Sequence, residues 1–368
     1  MKFICNRQNL KEAIGLCEKN TGKHVNMPIL SDVLIETDGK FVKLSSTNLE
    51  VGLEIKIAAI VEEGGKVAVP ASVIGGFLSN LTGEEKITIE SQNSNIVISS
   101  LNSSTMIKSH SPEEFPIIPK IDEKTAVEAQ ITASDLTLGL KSVMYACSFS
   151  TIKPEISSVY IFSNNGENVT FVATDSFRLA EKKLNYPINN FGPILIPIKT
   201  VLEIIRIFDD KTENLKISFD KNQINFELDN IRFISRIVDG VFPDYKQVLP
   251  KSFKTDVIVN KTVFTNSLKT TGIFSGKLND LNISIDNDNN SMIIKTHNND
   301  VGESTTKVPS KINGESMKAT FNHKYIFDCL SSISSDEIIL RFSGEGKPLV
   351  ISGANDGSFQ YLVMPMNV

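Results

Sequence analysis

The stretch VPASVIGGFLSNL at residues 69–81 decides the fold, because a related helical pattern recurs twice further along the chain. It returns as IPIKTVLEIIRIF at 196–208 and as FNHKYIFDCLSSI at 321–333, after offsets of 127 and 125 residues. Pro70 and Pro197 are expected in the first helical turn, where proline is tolerated. Asn322 is expected to cap the third helix. The pattern predicts one helix that occurs once in each copy of a repeated domain.

Other segments repeat with the same period. LKEAI at 10–14, LTLGL at 136–140 and FTNSL at 264–268 are separated by 126 and 128 residues. TNLE at 47–50 returns as TDSF at 174–177, and EFP at 114–116 returns as VFP at 241–243. A period near 127 residues is too long for a solenoid and has the size of a domain. The sequence predicts three domains, at 1–121, 122–249 and 250–368, joined by the Pro-rich linkers FPIIPKI (115–121) and FPDYKQVLP (242–250).

Each copy alternates strand and helix patterns in the same order. Runs such as DVLIETDGKFVKLSSTN carry turn residues between two strand-like halves and predict hairpins. We expect an α+β fold, in which each domain has two helices backed by antiparallel sheets. The six helices are predicted at 7–23, 70–81, 135–147, 197–212, 260–278 and 322–333.

Composition excludes several classes of protein. With 40% hydrophobic and 22% charged residues among 368, the chain can bury a core and is not of the disordered type. No window approaches 18 uninterrupted apolar residues, so no membrane helix is expected. The N-terminus lacks a signal-peptide core. Four scattered cysteines indicate buried free thiols in a reducing compartment. We therefore expect a cytoplasmic protein.

No catalytic or metal-binding motif is complete. DNDNN at 286–290 lacks the Gly and Glu of a calcium loop, and SGEGKPL at 343–349 lacks the Ser/Thr of a phosphate loop. Both are interpreted as turns. The four histidines lack metal-ligand spacing, and nothing marks a paired base near Asp175. No cofactor is expected.

The positive charge is concentrated in the predicted helices. They hold twelve basic and seven acidic side chains, a net charge of +5, in a chain whose total is −5, so the remainder carries −10. If the helices shared a surface, that surface could follow a phosphate backbone. Lysines that merely cover solvated helix faces are the alternative.

Three segments stand out: VATDSFRLA (172–180), RIVDGVFPDYKQVLP (236–250) and YLVMPMNV (361–368). They are similar to segments of the bacterial sliding clamp, the β subunit of the replicative DNA polymerase III, and MKF and MPILSDVLI (27–35) also fit. The resemblance spans the whole chain. It implies three clamp domains per chain and a head-to-tail homodimeric ring that encircles double-stranded DNA without reading its sequence. Such a ring is a processivity factor and not an enzyme.

The resemblance also implies partners and site residues. The DNA polymerase III catalytic subunit, the clamp loader, and other polymerases and repair proteins would bind through a short peptide motif. Their groove would be formed by Ile156, Thr174, Ser176, Phe177, Arg178, Leu179, Pro243, Val248, Leu362, Val363, Met364, Pro365 and Met366. DNA contacts match Lys23, His24, Ser150 and Lys153, to which the helix charges add Lys199 and Arg206. The dimer interface matches Ile107, Ile273 and Phe274.

The chain departs from the family pattern at the edge of the groove. Ser176-Phe177 stands where Gly-His is usual, and Asn367-Val368 replaces a basic residue plus Leu. Two alternatives to a clamp remain at this stage. One is a three-domain scaffold that binds proteins but no DNA, and the other is a hydrolase whose site lacks a motif, centred on Asp175.

Overall fold

The computed structural model describes residues 1–22, 26–82, 85–93, 95–101, 103–122, 124, 126–150, 152–164, 166–188 and 191–366. Within these ranges, no helix is both long and apolar enough to cross a membrane. Four cysteines are present, all of them buried and free, as the sequence predicts.

All six predicted helices are confirmed, although each is shorter than its predicted range. The described chain holds α1 (Arg7–Lys19), α2 (Ala71–Asn80), α3 (Ala133–Val143), α4 (Ile198–Phe208), α5 (Lys261–Gly272) and α6 (His323–Cys329). The predicted ranges of α3 and α6 extend too far toward the C-terminus, because each helix is followed by a 3₁₀ turn, at Met144–Ala146 and Leu330–Ser332. Such turns continue the helical side-chain pattern for a few residues.

Asparagine side chains cap the starts of α1 and α6. The Asn6 side chain accepts hydrogen bonds from the backbone of Gln8 and Asn9 at the start of α1. The Asn322 side chain does the same for α6, which confirms its predicted role as an N-cap. Pro70 and Pro197 are each the last residue of a strand, one position before the helix, and not inside its first turn.

The strands repeat in the same order as the sequence patterns. The order β-α-β-β-β-β-α-β-β-β occurs three times, with one additional strand, β21, in the third copy. The first copy holds β1 (Lys2–Asn6), β2 (Asp32–Asp38), β3 (Phe41–Thr47), β4 (Val51–Glu63), β5 (Lys66–Pro70), β6 (Lys86–Gln92), β7 (Asn95–Ser99) and β8 (Ser104–Lys108). The second holds β9 (Val127–Thr132), β10 (Ser158–Asn164), β11 (Asn168–Thr174), β12 (Arg178–Leu184), β13 (Ile194–Pro197), β14 (Asn214–Phe219), β15 (Gln223–Leu228) and β16 (Ile231–Arg236). The third holds β17 (Thr255–Asn260), β18 (Asp280–Asp286), β19 (Ser291–Asn298), β20 (Gly302–Val308), β21 (Ser310–Gly314), β22 (Met317–Asn322), β23 (Glu337–Phe342), β24 (Leu349–Gly353) and β25 (Asp356–Val363).

The predicted hairpins and turns are confirmed. DNDNN connects β18 to β19, where the Asp286 side chain accepts hydrogen bonds from Asn289. SGEGKPL connects β23 to β24, with Gly344 and Gly346 at positive φ. All strand pairs are antiparallel, as expected for this class of α+β domain.

The chain packs as two compact units, each built from two separate segments. The first unit comprises Met1–Ser134 with Leu202–Ile237, and the second comprises Asp135–Val201 with Val238–Val368. Each unit therefore combines strands from two copies of the repeat.

The first unit contains one sheet in the order β8-β7-β6-β1-β4-β16-β15-β14-β9, with β2, β3 and β5 branching from β4. Its two copies are joined where β4 pairs with β16, from Ile55 opposite Ile231 to Val51 opposite Ser235. The buried side of α1 is formed by Leu10, Ala13, Ile14 and Cys17. These positions follow the i, i+3, i+4, i+7 spacing and so form one face of the helix.

The second unit contains a sheet in the order β13-β10-β11-β12-β25-β24-β23-β17-β21 and a smaller one in the order β20-β19-β18-β22. Here the copies are joined by β12 and β25, from Arg178 opposite Val363 to Lys182 opposite Phe359. The last described strand of the chain is thereby held between β12 and β24.

Candidate partner-binding groove and neighbouring surfaces

The C-terminal segment is part of a sheet and not a frayed end. Leu362 lies opposite both Leu179 and Val350, and all three side chains are buried. Beyond β25, the Met364 N–H donates to the Phe177 carbonyl at 2.8 Å, and the Met366 N–H donates to the Thr320 carbonyl at 2.8 Å. The strand β25 ends at Val363, and the two methionines after it are held by these backbone hydrogen bonds on both sides.

The opposite wall is a tight loop between β11 and β12. The Thr174 hydroxyl donates to the Arg178 carbonyl at 2.7 Å. Asp175 Oδ1 accepts from the backbone N–H groups of Phe177 and Arg178 at 2.9 and 3.0 Å. Ser176 has φ 78°, in the left-handed region, where a side chain is unfavourable. These bonds hold the Phe177 side chain outward, 63% exposed.

Arg178 anchors this loop from beneath and is only 6% exposed. Its Nε donates to Asp175 at 2.9 Å, and its Nη1 donates to Asp328 on α6 at 2.7 Å. The guanidinium carbon lies 4.2 Å from the centre of the Tyr325 ring. Burial alone lowers the pKa of Arg178, but Tyr361, Asp328 and Asp175 outweigh it and raise the pKa overall. Arg178 therefore stays charged and positions the loop.

The floor of the groove is an apolar cluster on one face of the sheet. It comprises Val172, Leu179, Leu195, Phe242, Tyr245, Val350 and Leu362. The segment after β16 lies over this face, because Phe242 stacks on Tyr160 at 4.8 Å and the Tyr245 hydroxyl donates to the buried Glu181. Pro243 and Val248 flank Tyr245 in sequence and are exposed.

The predicted groove residues divide into an accessible set and a supporting set. Five are exposed: Ser176, Phe177, Pro243, Val248 and Met364. Five are buried: Thr174, Arg178, Leu179, Leu362 and Val363. Ile156, Pro365 and Met366 are intermediate, and Ile156 lies outside the described apolar cluster, in the turn before β10. The accessible apolar surface is therefore formed by Phe177, Pro243, Val248 and Met364.

The predicted DNA-contacting residues are found in different environments. Lys23 and His24 lie outside the described residues. Ser150, Lys153 and Lys199 are exposed, and Phe149 and Ile152 beside the first two are 86% and 87% exposed.

Arg206 differs from the expectation of an outward-facing cation. Its side chain is 21% exposed and pairs with Glu203. Burial lowers its pKa, although the neighbouring Cys17 acts in the opposite direction. Cys17 is fully buried, which raises its own pKa to about 12. Sequence alone gave no sign that this arginine packs inward, because Cys17 is far away along the chain.

The helices remain basic within their observed limits. They carry nine basic and five acidic side chains, a net charge of +4, so the remainder of the chain carries −9. Lys211 and Lys277 lie beyond the ends of α4 and α5, and this accounts for part of the difference from the predicted +5.

The predicted dimer residues lie near two sheet edges. β8 and β20 are terminal strands in their sheets. Ile107 on β8 is 5% exposed and already packs within the first unit, whereas Ile273 at the end of α5 is 68% exposed. Phe274 lies beside Gly302, the first residue of β20. Each set therefore lies near a strand edge that pairs with no further strand among the described residues.

The described residues around Asp175 do not form a catalytic arrangement. Both of its oxygens accept hydrogen bonds from the loop or from Arg178, so the carboxylate is structural. Among the described residues, no three His, Cys, Asp or Glu side chains lie close enough together to hold a metal ion.

Solved structures share this fold over its whole length. The DNA polymerase sliding clamp from Bacillus subtilis is 25% identical, with a TM-score of 0.92, and the match covers 100% of this chain and 99% of that one. The DNA polymerase III subunit beta from Pseudomonas aeruginosa has the same fold at 23% identity, with a TM-score of 0.93 and full coverage of both chains. The fold is therefore that of the sliding clamps.

The family follows from the sequence comparison. Family models of the N-terminal, central and C-terminal domains of the DNA polymerase III beta subunit match residues 1–119, 130–244 and 246–367. The beta sliding clamp of Synechococcus elongatus is 26% identical over the full length of both chains. The chain belongs to the DNA polymerase III beta subunit family. It is a processivity factor for replication and not an enzyme, and its partners are DNA and a DNA polymerase.

Proposed function

We propose that the groove between the 174–178 loop and the 364–366 segment binds short peptides of the DNA polymerase III catalytic subunit, the clamp loader, and other polymerases and repair proteins. The Met364–Phe177 backbone hydrogen bond carries this proposal, because it joins the two walls at the point where their apolar side chains are exposed. Methionine is unbranched and polarisable, so it adapts to different apolar anchors. Such a groove suits an extended peptide with Leu and Phe anchors.

A peptide of the Gln-Leu-x-Leu-Phe type tests the groove directly. Deletion of residues 364–368 is expected to abolish binding while the protein stays folded. Phe177→Ala is expected to weaken binding about tenfold, as is typical of an aromatic contact residue. Leu278→Ala is the matched control, because Leu278 is also apolar and 66% exposed. Unchanged affinity after the deletion would make these residues purely structural.

We propose that two copies form a head-to-tail ring around duplex DNA, with Ile107, Ile273 and Phe274 at the interface. A head-to-tail contact must close into a ring or polymerise, and open strand edges such as β8 and β20 favour pairing with another chain. Ile273→Ala with Phe274→Ala is expected to give monomers by light scattering at micromolar concentration, whereas Leu278→Ala stays dimeric. A double variant that remained dimeric would refute this interface.

We propose that Lys153 and Lys199, with Ser150 and with Lys23 and His24, contact phosphates without reading bases. Each neutralised phosphate contributes a slope of about −0.9 in log affinity against log salt. Alanine at Lys153 or Lys199 is expected to reduce the slope, whereas Lys318→Ala on β22 is the control. Loaded protein is expected to slide off linear DNA and to stay on circles. Equal loss from both would argue against encirclement.

We further propose domain boundaries at 121/122 and 249/250, which fall in the connections from β8 to β9 and from β16 to β17. The site of action would be the cytoplasm, where DNA replication takes place in a bacterium.

A further inference from the structure

A loop in the first unit repeats the geometry of the groove loop. The Thr47 hydroxyl donates to the Val51 carbonyl at 2.7 Å, as Thr174 does to Arg178. Asn48 Oδ1 accepts from the N–H groups of Glu50 and Val51, both at 2.9 Å, as Asp175 does in the groove. Leu49 has φ 74°, and its counterpart Ser176 has φ 78°. The two loops therefore have the same conformation, 127 residues apart.

The strand beside each loop is also equivalent. The Arg236 N–H donates to the Glu50 carbonyl at 3.0 Å, as the Met364 N–H donates to Phe177. Val51 lies opposite Ser235 in the same way that Arg178 lies opposite Val363. The wall formed by Met364 in the second unit is thus formed by Arg236 in the first.

A pocket of about 370 Å³ lies at this place in the first unit. The residues that line it include Leu49, Glu50, Ile117, Ile234 and Arg236. Gly52 takes the position of Leu179, and Ile118 fills the space above it, because a Cβ on Gly52 would lie 2.6 Å from Ile118 Cγ2. Ile118 and Ile234 therefore occupy the space that a side chain at position 52 would fill, and Ile234 also lines the pocket.

Two exposed aliphatic side chains border the pocket. Leu49 is 47% exposed and Ile117 is 94% exposed. A branched apolar residue such as Leu49 is rare in the left-handed region, where it costs about 1–2 kcal/mol. Strained residues of this kind cluster at binding sites and switch regions.

The charges at the rim differ from those of the groove. Glu50 takes the place of Phe177, and Arg236 takes the place of Met364. Both side chains are exposed, and neither forms an ion pair with any described residue. A ligand that brings its own charges would find both of them free to pair.

We propose that this pocket is a second peptide-binding site, which takes an extended segment of a partner protein with an aliphatic residue between Leu49 and Ile117. An acidic residue of that segment pairs with Arg236, and a basic one pairs with Glu50. The site differs in preference from the groove in the second unit, which takes uncharged apolar anchors. The inference rests on the proposed peptide-binding role of that groove, from which the equivalence is drawn.

The test uses a displayed library of random twelve-residue peptides on the full chain, with the second-unit groove saturated by a Gln-Leu-x-Leu-Phe peptide. Enriched peptides are expected to combine an aliphatic anchor with adjacent charges of both signs. Their affinity is expected to fall at least tenfold with Leu49→Asn and Ile117→Ser together. Asparagine tolerates the left-handed conformation, so the double variant keeps the loop. Ile60→Ser is the control, because Ile60 is exposed elsewhere in this unit.

Charge reversal locates the ligand. Arg236→Glu is expected to abolish binding of an enriched peptide, and a peptide whose acidic residue is replaced by lysine is expected to recover it. The proposal would be overturned if the unmodified chain enriched peptides no more than the double variant does. It would also be overturned if Arg236→Glu left the binding of an enriched peptide unchanged. Failure of the Gln-Leu-x-Leu-Phe peptide to bind the unmodified chain would instead count against the groove in the second unit. The two failures are therefore separable.

Discussion

Replacing Arg178 by alanine is expected to loosen the groove wall by a predictable amount. The side chain is 6% exposed and is shared by two carboxylates. Removing one partner of a buried ion pair costs about 3–5 kcal/mol. Asp175 keeps its two backbone hydrogen bonds, and Asp328 is 38% exposed and can be rehydrated. The loss therefore lies near the lower limit, at about 3 kcal/mol.

Hydrogen exchange of the Met364 amide measures this loss of stability at the groove wall, because that N–H donates to the Phe177 carbonyl. Under conditions in which exchange reports the opening equilibrium, about 3 kcal/mol corresponds to an increase of roughly 150-fold. Asp328→Asn leaves Asp175 as a partner and is expected to give an increase of about fivefold. Arg341→Ala is the control. The one described ring contact of Arg341 is with Phe253, whose ring centre lies 5.8 Å from its guanidinium carbon. An increase below threefold for Arg178→Ala would refute the reasoning.

Three further predictions concern stability. Ser176→Gly is expected to raise the unfolding temperature, with a gain of about 0.5–1 kcal/mol, since φ is 78° there. Burial raises the pKa of Cys5 and Cys17 to about 12 from 9.0. The folded chain therefore keeps these protons to a higher pH than the unfolded chain. Their contribution to the free energy of unfolding is complete below pH 9 and declines between pH 9 and 12. Urea unfolding across that range measures the decline. Gly139→Ala is expected to destabilise by about 1–3 kcal/mol despite better helix propensity, because its Cβ would lie 2.4 Å from the Phe171 ring; calorimetry measures it.

The repeat allowed much of the fold to be predicted from sequence. Helices and hairpins are local, so the spacing of apolar residues and the turn residues between them were sufficient. The pairing of TNLE with TDSF even identified two loops that share every backbone hydrogen bond described above. The resemblance to a known family, and not the spacing, identified the residues of the groove.

Other features depend on contacts between distant parts of the chain and were not predictable. The sharing of sheets through β4–β16 and β12–β25 joins strands about 180 residues apart. The inward position of Arg206 brings it near Cys17, which lies far away in the sequence. Leu362 and Val363 face opposite sides of the sheet, and both are buried, because the chain covers both faces of β25 at its end.

The pairing of β4 with β16 has a consequence for how such chains can diverge. The repeat visible in the sequence is not the unit that packs together, because each compact unit takes strands from two copies. A hybrid that exchanged residues 1–121 with a relative would place a foreign β4 against the resident β16. Recombination at the apparent domain boundary would therefore cut through a continuous sheet, and the edges of β4 and β16 have to change together.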